Sequence, residues 1–545
     1  MSSSRAARTM AGPLGGIDTA IQDRRDRHAR LAIVAIVLAA LVLRVARLGH
    51  ESFWIDELNA VHLARSGGVL HAVRSFGPFE PPLSHLLVAA SLKLPFGAET
   101  AARLPMALFG AVEVLALYLL ARELTKRIAI ALLAAGLLAV APFSVRYSQE
   151  ARYYTMFSAL ELLSWWMWLR ALRGEKRAWV WYGVLAGLML LTHPFAAFVI
   201  GVQVLVGAAA AWWSRDRERR RATLRGLGIS VAIAAVMVLP WLVYGASTWL
   251  SRYSGGDRFQ LSPLELGGVQ LDASLFKRSG EWLLGNAAHV TPLVVTLGAL
   301  VVLAPFVARG RPRWCAVAIG AYLLAMTVAL TVLANQLNTY FAFRRIESFV
   351  PGLLLVAAIA VVGLRDRIAP ALLSRPMATA VVVALVGIVV GLSLWTTREY
   401  YGTEKSDYRA LVAAIDGVGR DTFVVMGPIP DNWKPQIKAY LASKHVHHQV
   451  SFMLTGQPRR AAPRLDAGVR RVLWLTGASP DVRGLRTRGL NRADKLQIIA
   501  GDHSWVLHGQ ITLPLSASIS TPAGQAAFEA QWEANKSTPF LVPPP

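Results

Sequence analysis

The stretch Phe53-Trp54-Ile55-Asp56-Glu57-Leu58-Asn59 sets two adjacent carboxylates directly after an apolar run, 31–48, and ahead of a hydrophobic, proline-interrupted segment. A carboxylate beside hydrocarbon is costly unless it meets water, a partner or a ligand, so such a pair marks a site. Acids also favour helix N-termini, and the same pair suits the first turn of a short interfacial helix. The chemistry within reach of a carboxylate here is proton acceptance from an attacking hydroxyl, with cations elsewhere taking up charge on a departing phosphate. Asp56 is the first choice for the base, and Glu57 would position the acceptor or Asp56 itself. Further candidate binding residues are Glu80, Glu150, Arg152, Tyr153, His193, Lys277, Arg278, Arg344 and Arg345. Arginine suits a phosphate because its planar fork offers paired donors. Each candidate has a plainer role open to it: Glu150 with Arg152 as an interfacial ion pair, His193 as a turn residue before Pro194, and one of Arg344 and Arg345 as a headgroup anchor.

The elements that must position these groups are membrane helices. The chain has 545 residues, 54% of them hydrophobic and 17% charged, with mean hydropathy +0.42. That is too apolar for a soluble domain. Its 57 Lys+Arg against 33 Asp+Glu lie mainly in short loops between apolar runs, so membrane orientation explains them and nucleic-acid binding is set aside. A single cysteine, Cys315, excludes an internal disulfide framework or a Cys-rich metal site.

A spanning helix takes about 20 mostly apolar residues. Such runs occur at 31–47, 104–121, 128–145, 154–170, 178–192, 195–213, 226–244, 290–308, 314–333, 347–363 and 377–396, which makes about eleven spans. The first is read as uncleaved, behind a basic cytoplasmic tail, 1–30. Segment 83–96 is too short to cross and is expected to lie as an interfacial helix within the outer loop 49–103. With that segment left out of the count, the loops carrying Arg122, Lys126 and Arg127, then Arg170 to Arg177, Arg215 to Arg225, Arg309 to Arg313, and Arg365 to Arg375 all fall inside, as the positive-inside rule requires. All the candidate site residues then share the outer face.

After the last span the composition changes, and 398–515 reads as a small soluble extracytoplasmic α/β domain followed by a loose tail, 516–545. Helical spacing covers 407–418 and 433–444, and strands are expected at 422–426, 471–476 and 496–500. His445, His447 and His448 read as a surface patch rather than a zinc site. The fold class is an α-helical polytopic membrane protein with this small domain appended.

Asp56-Glu57 after the first span, Phe79-Glu80-Pro81-Pro82-Leu83, Ala102-Arg103-Leu104-Pro105, and Pro142 with Tyr147-Ser148-Gln149-Glu150-Ala151-Arg152-Tyr153-Tyr154 follow in an order that resembles the GT-C membrane glycosyltransferases. Within them the chain is similar to the branch of protein O-mannosyltransferases and the lipid A aminoarabinose transferase, over about residues 31–400. The resemblance implies a polyprenyl-phosphate-sugar donor, an extracytoplasmic glycan, lipid or protein acceptor, and an inverting single displacement at the outer face of a bacterial inner membrane. By position, Asp56 matches the acid of the family's first outer loop and Glu150 a position in its second. Glu80 departs from the Asp or His that often precedes the Pro-Pro pair. No cofactor is implied as required, although Asp56, Glu57 and Glu150 are oxygen donors of the kind that hold a hard divalent cation. The competing reading is a transporter or flippase for lipid-linked sugar, with Glu113 and Glu161 as membrane acids.

Overall fold

The computed structural model describes residues 13–65, 81–253, 290–336, 348–371, 374–401, 408–429, 434–443, 448, 450–454, 471–478, 506–514, 526, 529 and 530. Helix α1 (Pro13–Val45) carries the first apolar run. Two short helices follow on the loop side, α2 (Ile55–Arg65) and α3 (Leu83–Ser91). Then come α4 (Ala98–Thr125), α5 (Ile128–Ala139), α6 (Pro142–Ser148), α7 (Tyr154–Leu172), α8 (Lys176–Leu190), α9 (Ala196–Trp212) and α10 (Arg217–Tyr253). The helical part closes with α11 (Val290–Val307), α12 (Gly310–Gln336), α13 (Val350–Ala371) and α14 (Arg375–Tyr400).

Among the described residues, 5 helices are long and apolar enough to cross a membrane, or up to 6 if one bent pair counts as a single span. Leu31, Val34, Leu38 and Val42 of α1, like Val236 and Leu239 of α10, expose apolar side chains that a bilayer would cover. Helix α3 is shorter than the segment read from the sequence. It stops at Ser91, four residues before Pro95, whose ring would crowd the Ser91 carbonyl in a continued helix.

The bent pair is α5 with α6, which meet at 58° where the sequence suggests one continuous span. Pro142 accounts for the break, since it donates no backbone hydrogen bond and its ring crowds the carbonyl four residues back. The carbonyls freed at the end of α5 are met by a buried guanidinium. Arg44 donates from Nη1 to Ala139 O (2.9 Å) and from Nη2 to Leu138 O (3.2 Å) and Ser144 Oγ (2.9 Å). Ser144 Oγ in turn donates to Glu113 Oε2 (2.7 Å), whose other oxygen accepts from Ser158 Oγ (2.5 Å). Gly110 makes the room: a Cβ there would stand 2.6 Å from Arg44 Nε. One charged group thereby ties α1, α4, α5, α6 and α7 together.

The cationic loops gather at one end of the bundle. Arg127 pairs with Asp366 (2.7 Å), and Arg173 pairs with Glu123. Arg311 Nη2 donates to Glu123 O (3.2 Å), and Arg367 Nε to Val307 O (3.0 Å). The opposite end carries α2, α3, the 149–153 loop and the start of the C-terminal unit. That unit holds α15 (Tyr408–Asp416), β1 (Thr422–Ile429), α16 (Lys434–Ser443), β2 (Val450–Leu454), β3 (Arg471–Ala478) and β4 (Val506–Pro514). Its sheet has the order β2-β1-β3-β4, with β1 parallel to β2 and β3, and β4 antiparallel to β3. The helices at 407–418 and 433–444 and the strands at 422–426 and 471–476 correspond to α15, α16, β1 and β3. The expected strand 496–500 and His445 and His447 lie outside the described residues.

Replacing Arg44 with Leu removes the group that satisfies the break and leaves Glu113 without its buried counter-network. We expect a loss of about 3–5 kcal/mol, read as a lowered thermal unfolding midpoint in detergent. Arg44→Lys, which keeps the charge but not the fork of donors, should fall between the two.

Candidate active site

Helix α2 begins with one half of a capping box. Trp54 N donates to Glu57 Oε2 (3.3 Å), the arrangement in which an acid three residues into a helix closes its first turn. The same carboxylate takes three stronger donors. Arg103 Nε reaches Oε1 at 2.8 Å and Nη2 reaches Oε2 at 2.6 Å, a two-pronged pair, and Ala151 N donates to Oε1 at 2.8 Å. Both oxygens of Glu57 are therefore engaged twice, and its side chain is fully buried. Arg103 is equally committed. Its Nη1 donates to Leu48 O (3.0 Å) and Glu51 O (2.9 Å), and its Nη2 also to Ser52 O (3.0 Å). This pair fixes the end of the 48–52 segment, the start of α2, the first turns of α4 and the loop before α7 against one another.

Asp56, one residue earlier on α2, is only partly buried. Successive helical residues point about 100° apart, so Glu57 can be wholly occupied within the fold while its neighbour faces elsewhere. The two carboxylates that look equivalent in the sequence have different surroundings.

The loop that carries Glu150 is held on both sides of that residue. Gln149 Nε2 donates to the last carbonyls of α1, at Arg44 O (3.0 Å) and Ala46 O (2.8 Å), while Ala151 N is bound by Glu57. Glu150 and Arg152 are both buried. The Arg152 guanidinium lies over the Tyr153 ring, 5.3 Å from its centroid, and Tyr153 packs on His193 with ring centroids 4.6 Å apart. His193 Nδ1 accepts from Phe195 N at 3.2 Å, which serves the turn and leaves the ring proton of the neutral form on Nε2. Tyr400, at the end of α14, brings its hydroxyl within electrostatic reach of Glu51, Glu150, Arg103 and Arg146. The structure thus collects Asp56, Glu57, Glu150, Arg152, Tyr153 and His193 at one end of the bundle. Glu80, Lys277, Arg278, Arg344 and Arg345 lie outside the described residues.

Three groups here were given no role from the sequence: Arg103, Gln149 and His85. Arg103 carried a signal, since an arginine just inside an apolar helix calls for a buried acid. His85, buried on α3, has its pKa pushed from 6.5 to about 3 by burial and then by the nearby Arg152. Among the described residues no three His, Cys, Asp or Glu side chains come together as a metal-binding group. Glu161, deeper on α7, accepts from the Tyr322 hydroxyl at 2.5 Å. Between α5, α6, α11, α13 and α14 lies an apolar cavity of about 200 Å³, lined by residues that include Leu137, Pro142, Phe143, Leu297 and Val389.

Solved structures with this architecture are known. Over 82% of this chain and 93% of the other, the structure superposes on ArnT from Cupriavidus metallidurans bound to undecaprenyl phosphate, with a TM-score of 0.53 at 15% identity. The two share a fold. The oligosaccharyltransferase of Archaeoglobus fulgidus, in a complex with Zn and sulfate, shares that fold over 82% of this chain and 68% of its own, at 14% identity and a TM-score of 0.51. Residues 79–244 match the family described as dolichyl-phosphate-mannose-protein mannosyltransferase. In sequence the chain is 32% identical over 204 residues to undecaprenyl phosphate-alpha-4-amino-4-deoxy-L-arabinose arabinosyl transferase 1 of Pseudomonas fluorescens. That match spans 34% of this chain and 36% of the relative's length. The matched family segment contains α3 to α9, Arg103 and the Glu150 loop, and leaves α2 and the C-terminal unit outside it.

Two outcomes separate the roles of the paired acids. Glu57→Ala strands Arg103 as a buried charge and should cost about 3–5 kcal/mol, whereas Asp56→Asn, which keeps the size of a partly buried side chain and strands no buried charge, should lower the unfolding midpoint less. Acid stability tests His85. Its folded-state pKa lies below its unfolded value, so the unfolded chain binds the extra proton and stability is lost as pH falls from 6.5 towards about 3. The slope from this group should approach about 1.4 kcal/mol per pH unit, and it should be absent from a His85→Asn variant titrated in parallel.

Proposed function

We propose that this chain is a membrane glycosyltransferase that moves a sugar from a polyprenyl-phosphate donor to an acceptor outside the cytoplasm, by inverting single displacement. The observation that carries the reading is the contrast on α2, where Glu57 is fully buried and engaged by Arg103 and Ala151 N while the adjacent Asp56 is only partly buried. In the reaction, Asp56 takes the proton of the acceptor hydroxyl as its oxygen attacks the anomeric carbon. The bond from that carbon to the phosphate oxygen breaks, and the prenyl phosphate leaves with the electron pair. Glu57 is then a positioning residue. Arg152 is the described cation best placed to meet the phosphate, with Lys277, Arg278, Arg344 and Arg345 as further candidates and Glu80, Glu150, Tyr153 and His193 as groups for the sugar or acceptor. The apolar cavity beside the broken span suits a stretch of prenyl chain, and the relative solved with undecaprenyl phosphate supports that class of donor.

In this reading about eleven helices cross the membrane. The cationic end is cytoplasmic, and α2, α3 and the C-terminal α/β unit stand on the outer side. The clustering of the basic loops at one end supports that orientation. The transporter reading has less support. Glu113 and Glu161 are buried and accept hydroxyl hydrogen bonds from Ser144, Ser158 and Tyr322, so the protein itself takes up both acids, whereas a transporter would place them at an ion pathway.

Purified protein incubated with a panel of polyprenyl-phosphate sugars, with and without chelator, should release prenyl phosphate and transfer sugar. Asp56→Asn should lower the rate by at least about 10²-fold with donor binding little changed. Full activity in that variant would remove Asp56 from the mechanism, and the chelator arm reads whether a divalent cation takes part.

A further inference from the structure

The helix that carries Asp56 has only 11 residues, too few to persist in water without tertiary support. On its membrane side the support is the Glu57 to Arg103 pair and packing on α3. Its other support comes from the far end of the chain. Ile437, Tyr440 and Leu441 of α16 and Tyr408, Leu411 and Ile415 of α15 are buried in one continuous apolar cluster with Phe53, Trp54, Leu58 and Val61. That cluster also takes in Val424 of β1 and Leu473 of β3, so the core of the C-terminal unit and the underside of α2 are the same core.

Polar contacts reinforce the join. Arg409 on α15 donates to the carbonyls of His50 and, at 2.6 Å, Gly49, the residues that lead into α2. Its other neighbour is Glu99 at the start of α4, 3.8 Å away. Tyr440 packs its ring on Tyr408 at 5.9 Å. Its hydroxyl stands close enough to Glu99, Arg409 and Arg103 to feel their charges, and burial followed by Glu99 pushes its pKa up to about 12. The Tyr401 hydroxyl donates to Leu43 O at the end of α1.

We propose that the C-terminal α/β unit is the outer wall of the active site, holding α2 in register through α16 and Arg409, so that Tyr440, Leu441 and Arg409 act as positioning residues for Asp56. The unit is then neither an autonomous binding module nor a tether. This rests on the reading of Asp56 as the base, but the docking itself is measurable without any turnover. A loosened α2 still binds donor through the membrane helices, while Asp56 loses its alignment, so the defect falls on kcat rather than on KM.

Hydrogen exchange of the full-length protein in nanodiscs, read by mass spectrometry, would be compared for wild type, Leu441→Asp and Arg409→Ala, with transfer kinetics measured on the same preparations. Exchange across residues 55–65 should rise by about tenfold or more in Leu441→Asp, because local opening there becomes easier by about 1.4 kcal/mol. Peptides from α4, α7 and α13 should be unchanged, and kcat should drop by a similar factor with KM within about twofold. Arg409→Ala changes a surface-exposed side chain and should give the same pattern in weaker form, which keeps the test open if Leu441→Asp does not fold. Unchanged exchange over 55–65 in both variants would overturn the inference, as would a loss confined to KM. A wild type that transfers no sugar from any donor would count against the enzymatic reading alone, since the exchange result would still decide whether the unit holds α2.

Discussion

A single buried ion pair organises one end of this protein. Glu57 and Arg103 come from segments that the chain could place independently, and each spends its whole hydrogen-bonding capacity on the other or on nearby backbone. Removing two charges from water is expensive, and only complete satisfaction by partners offsets the cost. An alternative placement of α2, α4 or the 149–153 loop would leave at least one of these charges stranded. The pair therefore contributes specificity of arrangement more than net stability, which is what a site assembled from several loops requires.

The same logic recurs deeper in the bundle at the break between α5 and α6. A proline interrupts the helix, carbonyls are freed in the buried interior, and Arg44 supplies the donors. Polar backbone at membrane depth is tolerated where protein groups take it up. The break turns α6 so that it delivers Gln149 to the end of α1 and Glu150 to the site. A charged residue near the end of α1 thus serves the geometry of the loop that follows the 7-residue α6.

Much of this was legible from residue types alone. The apolar runs fall on helices, the basic loops gather at one end, and one acid of the first loop, Glu57, meets the segment around Glu150. Segments with a strong period or uniform apolarity announce themselves because burial depends on little more than that pattern. The contrast between Asp56 and Glu57 was not legible. Adjacent carboxylates carry the same local signal, and what distinguishes them is a contact with Arg103, 46 residues away. Strands β2 and β4 were missed for a related reason: Val450–Leu454 is short and Val506–Pro514 carries glycine and proline, both weak strand signals. The bend at Pro142 was foreseeable from proline itself, whereas its rescue by Arg44 required knowing that α1 runs alongside.

The bond from Arg409 to His50 joins residues 359 positions apart. Ribosomes add about 5–20 residues per second, so the loop after α1 emerges and then waits on the order of 20–70 s before its distant partner exists. During that interval the newly inserted protein has its anchors in the membrane but not its finished acidic surface. Until then the contact that joins its first loop to its last unit is missing.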